Sequence, residues 1–252
     1  MDNNVGTALL LTAGAGLATT FGSLIGLAVR KPGATFMGFT LGFSAGVMIL
    51  VSFVELLQGS IATIGFLSAH AAFFVGMIIF FIIDNVVPHE YIGHEELHSK
   101  GSTESLKRTG LMVALGIGVH NFPEGLATFA GTMEDLQLGL AIAVAIAVHN
   151  IPEGLAVSAP IYAATGSRKK AFFWSFLSGI SEPIGACLAA LILLPFLKAE
   201  IIGWLLAAVA GIMVSISLDE LIPLAKSVGS ERTPFFGVMT GMIIMALSLW
   251  LI

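Results

Sequence analysis

Charge is what this chain has least of. Only 11% of its 252 residues are Asp, Glu, Lys or Arg, and 56% are hydrophobic; a soluble domain carries roughly 25% charged residues. With a mean hydropathy of +0.96, a water-soluble globular protein is excluded. The longest polar gap, about Pro88 to Arg108, is too short to build a core of its own. Basic runs of the nucleic-acid-binding kind are absent, and the net charge of −5 says little about partners. A G-x-x-x-x-G-K-[ST] phosphate loop is also missing, which excludes ATP-driven work within the chain. The single cysteine, Cys187, lies in an apolar stretch, forms no internal disulfide and reads as a packing residue. The first apolar run, Val5 to Val29, has no basic flank before it and exceeds a signal-peptide core, so a retained helix is expected.

Apolar length is what the chain has in excess. A spanning helix needs about 20 residues, and eight such stretches can be drawn, about 5–29, 34–57, 64–87, 109–131, 136–163, 170–196, 201–226 and 233–251. They predict an all-α integral membrane protein, one transmembrane domain over 1–252, with the lipid bilayer as its surroundings. Turn chemistry separates the stretches: Lys31-Pro32-Gly33, Gly166-Ser167, and Ser230 to Pro234. Lys and Arg fall almost entirely in alternate loops, which contain Arg30, Lys31, Lys100, Lys107, Arg108, Arg168, Lys169, Lys170, Lys226 and Arg232; the opposite side has Lys198. By the positive-inside rule both termini are extracytoplasmic.

Inside this apolar chain one hexapeptide occurs twice, as His120-Asn121-Phe122-Pro123-Glu124-Gly125 and His149-Asn150-Ile151-Pro152-Glu153-Gly154. At ~1.5 Å per residue, His120 stands about 16 Å into its stretch and His149 about 20 Å into its own, so both lie near mid-membrane. An ionisable side chain there costs about 2.5 to 3.5 kcal/mol even on the lenient insertion scale, so the pair requires a function. Equal depth on antiparallel neighbours implies an inverted repeat around a midplane site. His and Glu at i and i+4, with Asn and Glu at i and i+3, share one helical face. Each proline frees a backbone carbonyl, of Val119 and Val148, and the glycine after each Glu lets two backbones approach. Glu182, in Ser181-Glu182-Pro183-Ile184-Gly185, lies about 18 Å into the sixth stretch and adds a third carboxylate at the same level. One or two divalent cations would neutralise the trio, which has no intramembrane Lys or Arg beside it. The bland alternative, prolines and polar groups that merely lock helices together, fits a lone His better than a duplicated set.

These residues resemble those of the ZIP family of divalent-metal transporters, in particular its compact bacterial zinc-uptake members. The resemblance covers essentially the whole chain and rests on the paired H-N-x-P-E-G motifs, the eight stretches, both termini outside, and Ser181-Glu182-Pro183-Ile184-Gly185-Ala186. It implies a 3+2+3 bundle in a prokaryotic plasma (inner) membrane that moves metal into the cytoplasm by alternating access, plausibly with an elevator-like shift. It also implies a binuclear midplane site: one metal on His120, Glu124, His149 and Glu153, a second on Asn121, Glu124, Asn150, Glu153 and Glu182. Imidazole, carboxylate and amide ligands suit zinc, iron, cobalt, manganese or cadmium without choosing among them and disfavour Cu⁺; the resemblance puts zinc first. The metal is cargo, and neither an enzyme nor a resident cofactor is expected; a homodimer is left open.

Glu55, Asp84, Asp219 and Glu220 lie toward the ends of their stretches and read as entrance and exit groups, or as interfacial solvation. His70 reads as a packing or interfacial residue. In the loop at 88–108, His89, His94 and His98 form either a metal-collecting segment or a merely solvated one. His94-Glu95-Glu96-Leu97-His98 is a literal H-E-x-x-H, which raises a membrane zinc metalloprotease as the alternative, though a short loop supplies neither third ligand nor cleft. Radiometal uptake into proteoliposomes separates the readings. Transport predicts that Glu153→Ala abolishes uptake with membrane insertion intact; a protease predicts loss of activity in Glu95→Gln; a structural bundle predicts that neither matters.

Overall fold

The computed structural model describes residues 4–28, 33–86, 103–193, 198–228 and 232–251. Among them every element is helical: α1 (Val5–Ala28), α2 (Ala34–Val51), α3 (Gln58–Ile64), α4 (Phe66–Val86), α5 (Thr103–Glu134), α6 (Leu136–Thr165), α7 (Arg168–Gly179), α8 (Ser181–Leu188), α9 (Ala199–Ile216), α10 (Ile222–Val228) and α11 (Thr233–Leu251). Among the described residues six helical runs are long and apolar enough to cross a membrane. Outward helix faces carry Leu10, Phe21, Leu67, Phe74, Leu191 and Trp250 exposed, the surface a lipid solvent tolerates. Cys187, read from the sequence as a packing residue, is exposed on α8.

The boundaries differ from the expected stretches where local chemistry carries a helix further. The second run continues from α2 through a π-helical turn at Ser52–Leu57 into α3, and stops at Gly65, whose φ of 82° suits a residue without a side chain. α5 begins at Thr103, so the last part of the expected 88–108 loop is helical; Thr103 to Arg108 contains neither Gly nor Pro, and Glu104 favours a first turn. Asp135 alone separates α5 from α6. Its backbone is extended (φ −149°), and its Oδ1 accepts the N–H groups of Gln137 and Leu138 at 2.9 and 3.0 Å, capping α6. Gly166 closes that helix in the left-handed region at φ 63°.

The helices sort into two groups. α1, α5, α6, α7 and α8 pack on one another, while α2 packs chiefly on α11 and α4 on α9. The groups meet mainly where α2 lies on α6 and α5 on α9. Lipid gives helices no hydrophobic reason to associate, so close van der Waals contact through small residues does the holding. A side-chain carbon on Gly16 would lie 2.5 Å from the Gly179 carbonyl oxygen, and one on Gly179 would lie 2.5 Å from that of Gly16. The contacts around this crossing are paired as well. Gly154 faces the Thr19 carbonyl as Gly125 faces that of Glu182, and Gly22 faces the Ile151 carbonyl as Gly185 faces that of Phe122. The glycines of the hexapeptides were expected to bring the two motif helices together; each instead admits an outer neighbour, α1 at Gly154 and α8 at Gly125.

A second internal repeat accompanies the first. Residues 45–56 (AGVMILVSFVEL) and 210–221 (AGIMVSISLDEL) share Ala, Gly, Met, Ser, Glu and Leu in the same register. Ser52 and Ser217 each donate to the carbonyl of the shared Met, Met48 and Met213, at 2.6 and 2.8 Å, and a π-helical turn begins at each Ser. The shared glycines meet neighbouring backbones, Gly46 at Val238 and Gly211 at Phe73.

The packing predicts that Gly154→Ala, whose methyl would overlap the Thr19 carbonyl oxygen, forces α1 from α6 at a cost of about 1–3 kcal/mol, the usual range for overpacking. Gly59→Ala, with nothing within 4 Å, should be neutral or better. Thermal unfolding in detergent measures both.

Candidate metal centre

The two hexapeptides lie inside unbroken helices, with Pro123 within α5 and Pro152 within α6. The hairpin closed at Asp135 sets their register: Gly131 sits against Ile142, and farther from the turn Glu124 meets His149. From α5 come Asn121 and Glu124, from α6 His149, Asn150 and Glu153, and from α8 Glu182. All six are fully buried.

His149 is held at both ring nitrogens. Nδ1 lies 3.1 Å from the Ala145 carbonyl, to which it can only donate. The neutral ring therefore presents a lone pair at Nε2, and Nε2 lies 3.1 Å from Glu124 Oε1. Two acceptors at that distance need a proton or a cation between them. A backbone carbonyl fixing one imidazole nitrogen so that the other faces a ligand is the usual outer-shell arrangement of a metal-binding histidine.

The asparagines are oriented in the same sense. Asn150 Nδ2 donates to Glu182 Oε1 and, at 3.0 Å, to the Ala15 carbonyl on α1; Asn121 Nδ2 donates to the Ser178 carbonyl on α7 at 3.3 Å. Their amide nitrogens are thus used on neighbouring helices, and their oxygens are not. Asn121 Oδ1, Asn150 Oδ1, Glu124 Oε2 and Glu182 Oε2 are buried and have no hydrogen-bond partner among the described residues. Such orphans are rare in folded proteins and costly, at about 1–3 kcal/mol each, more when charged. Every one of the four is an acceptor, so each would be satisfied by a hydrogen-bond donor or by a cation. Among the described residues no three His, Cys, Asp or Glu side chains already converge with metal-ligand geometry, so this arrangement is a set of ligands within reach of one another and not a closed cage.

Other expected groups stand elsewhere. Glu55 lies in the π-helical turn at Ser52–Leu57, half-buried, and Asp219 in the turn at Ser217–Leu221, exposed. The side chains of His120, Asp84 and Glu220, and the whole of His89, His94 and His98, lie outside the described residues. His70 Nδ1 donates to the Phe66 carbonyl at 2.8 Å and its ring lies 3.9 Å from that of Phe66, a packing role. Sequence reasoning passed over Ser44 on α2, whose Oγ is 3.3 Å from Glu153 Oε1 and 3.4 Å from the His149 carbonyl. A lone hydroxyl among the apolar residues of 41–51 was its only signal.

Fold and cluster together define a multi-pass helical membrane protein with acids, amides and imidazole gathered in its interior. Residues 85–249 match the family model described as ZIP Zinc transporter. Among curated relatives, the chain is 47% identical over 269 residues to "Zinc transporter ZupT" of Streptococcus mutans, covering 100% of this chain and 99% of that protein. It is 49% identical over 268 residues to the protein of the same name from Oceanobacillus iheyensis, with 100% of each covered, and 44% identical over 246 residues to that of Salmonella heidelberg, covering 96% and 95%. The chain belongs to the ZIP zinc transporter family. It is a multi-pass protein of the inner membrane and a transporter, not an enzyme, and the family and its relatives give no support to the protease reading of His94 to His98.

Asn150→Leu, which strips Glu182 Oε1 and the Ala15 carbonyl of a donor, should lower the thermal midpoint of the metal-free protein by the equivalent of about 1–3 kcal/mol. Asn121→Leu, which strips the Ser178 carbonyl alone, should lower it less.

Proposed function

We propose that this protein carries zinc across the inner membrane into the cytoplasm through a binuclear site at mid-membrane. One metal is held by His120, Glu124, His149 and Glu153, the other by Asn121, Glu124, Asn150, Glu153 and Glu182, with Glu124 and Glu153 bridging. The observation that carries this reading is the set of four orphaned acceptor oxygens on Asn121, Asn150, Glu124 and Glu182. Bridging carboxylates suit two metals about 3.5–4 Å apart. The names of the relatives support zinc as cargo; iron, cobalt, manganese and cadmium suit the same ligand types.

The transporter is one transmembrane domain over 1–252, with eight passages arranged 3+2+3 and both termini extracytoplasmic. The paired contacts around Gly16 and Gly179 and the repeat at 45–56 and 210–221 support that inverted symmetry. The two helix groups supply the parts for alternating access, the group with α1 and α5 to α8 carrying the site past the other. Glu55 stands toward the outer mouth, and Asp84, Asp219 and Glu220 toward the inner one; His89, His94 and His98 collect metal in the cytoplasmic loop.

Calorimetric zinc titration, with radiozinc uptake alongside, tests the proposal. The full chain is expected to bind two zinc ions, and Glu182→Ala one, because Glu182 serves only the second metal. Unchanged stoichiometry in Glu182→Ala would overturn the binuclear assignment, and zinc uptake by Glu153→Ala would overturn the site.

A further inference from the structure

Ser44 stands apart from the proposed ligands. It lies on α2, which supplies none of them and packs chiefly on α11, in the helix group opposite the one that holds the cluster. Serine and threonine in a helix ordinarily bond back to their own carbonyls. Thr40 on α2 does so, to Phe36 and Met37, and so does Ser52, to Met48. Ser44 instead reaches across the boundary between the groups to Glu153 Oε1 and the His149 carbonyl, and it is fully buried. Its single proton faces two acceptors, of which a carboxylate is the stronger.

We propose that Ser44 is a positioning residue for Glu153: from the opposite helix group it holds the carboxylate in the orientation that takes a metal ion. This rests on the reading of Glu153 as a ligand. Ligating carboxylates depend on outer hydrogen bonds to fix their direction, and losing such a partner typically costs roughly 10- to 100-fold in metal affinity. What sets Ser44 apart is where it is anchored. Other supports of the cluster, the carbonyls of Ala15, Ala145 and Ser178, belong to the group that carries the ligands. Displacing α2 along α6 by one residue, about 1.5 Å, stretches a 3.3 Å contact beyond hydrogen-bond range. Metal affinity is therefore tied to the register of the two groups: strong while α2 and α6 stand as they do here, weaker once they slide. A carrier that must release what it has bound needs such a difference.

Zinc titration of the purified full chain and radiozinc uptake into proteoliposomes, run on the same variants, test this. Ser44→Ala is expected to raise the zinc Kd and the uptake KM by roughly tenfold while the maximal rate is retained, and Ser44→Thr, which keeps the hydroxyl, is expected to recover most of the affinity. Thr40→Ala, one turn away on the same helix with its hydroxyl bonded to that helix, should bind zinc as the unaltered chain does. Wild-type affinity in Ser44→Ala, with binding lost in Glu153→Gln, would overturn the Ser44 assignment and leave the site standing. Equal weakening in Ser44→Ala and Thr40→Ala would assign the effect to packing of α2 and overturn it too. Wild-type zinc binding by Glu153→Gln would remove Glu153 from the ligands, and the role of Ser44 with it.

Discussion

The molecule is arranged around a cluster of buried acceptors at the centre of an apolar body, four of whose oxygens have no donor among the described residues. Glu124, Glu153, Glu182, Asn121 and Asn150 are fully buried; Asn150 donates to Glu182 and Ser44 to Glu153, while Asn121 Oδ1, Asn150 Oδ1, Glu124 Oε2 and Glu182 Oε2 have no partner among the described residues. In water such an oxygen would be solvated; here it calls for a hydrogen-bond donor or a cation. The helices around the cluster are therefore constrained twice. They must present apolar surface outward to lipid, and must turn every spare donor inward to neighbouring carbonyls, which is how the amide nitrogens of Asn121 and Asn150 are used. The His149 ring obeys the same constraint, spending Nδ1 on Ala145 and keeping Nε2 for the site.

Close backbone contact supplies the rigidity that such a cluster needs. Gly16 and Gly179 meet reciprocally, and from that crossing α1 bears on α6 in the manner that α8 bears on α5. Equivalent positions carry different chemistry: Thr19 stands on α1 where Glu182 stands on the α7–α8 run, three residues after the reciprocal glycine in each case. The polar cluster is thus less symmetric than the scaffold beneath it, with a carboxylate on one side and a neutral hydroxyl on the other.

Much of this was legible in the sequence because bilayers punish exceptions. Each residue of the buried cluster on α5, α6 and α8 was visible as a polar residue at a depth where polarity is costly, and the doubled hexapeptide pointed to the pairing of α5 with α6. Ser44 was not legible, because a serine in a membrane helix ordinarily satisfies itself, and only the coordinates distinguish its partner from that of Thr40. The repeat at 45–56 and 210–221 was readable but diluted by apolar substitutions such as Phe53 for Leu218. Helix ends were misplaced where a single residue does the work of a loop, at Gly65 and Asp135. The glycines after Glu124 and Glu153 were correctly read as sites of close approach but assigned to the wrong neighbour, since spacing along one helix does not say which other helix will lie against it.

The connection at Asp135 has a consequence for how the chain enters a bilayer. With one residue between α5 and α6, and a carboxylate already capping the second helix, the loop to be closed is about as short as a helical hairpin permits, and its entropic cost is correspondingly small. His149 then meets Glu124 through contacts local to the hairpin, before any later segment is required. Two of the side chains most costly to expose to hydrocarbon shield each other within a single insertion unit, so the polar centre of the finished protein can be carried into the membrane as a pair rather than assembled there from helices that each entered alone.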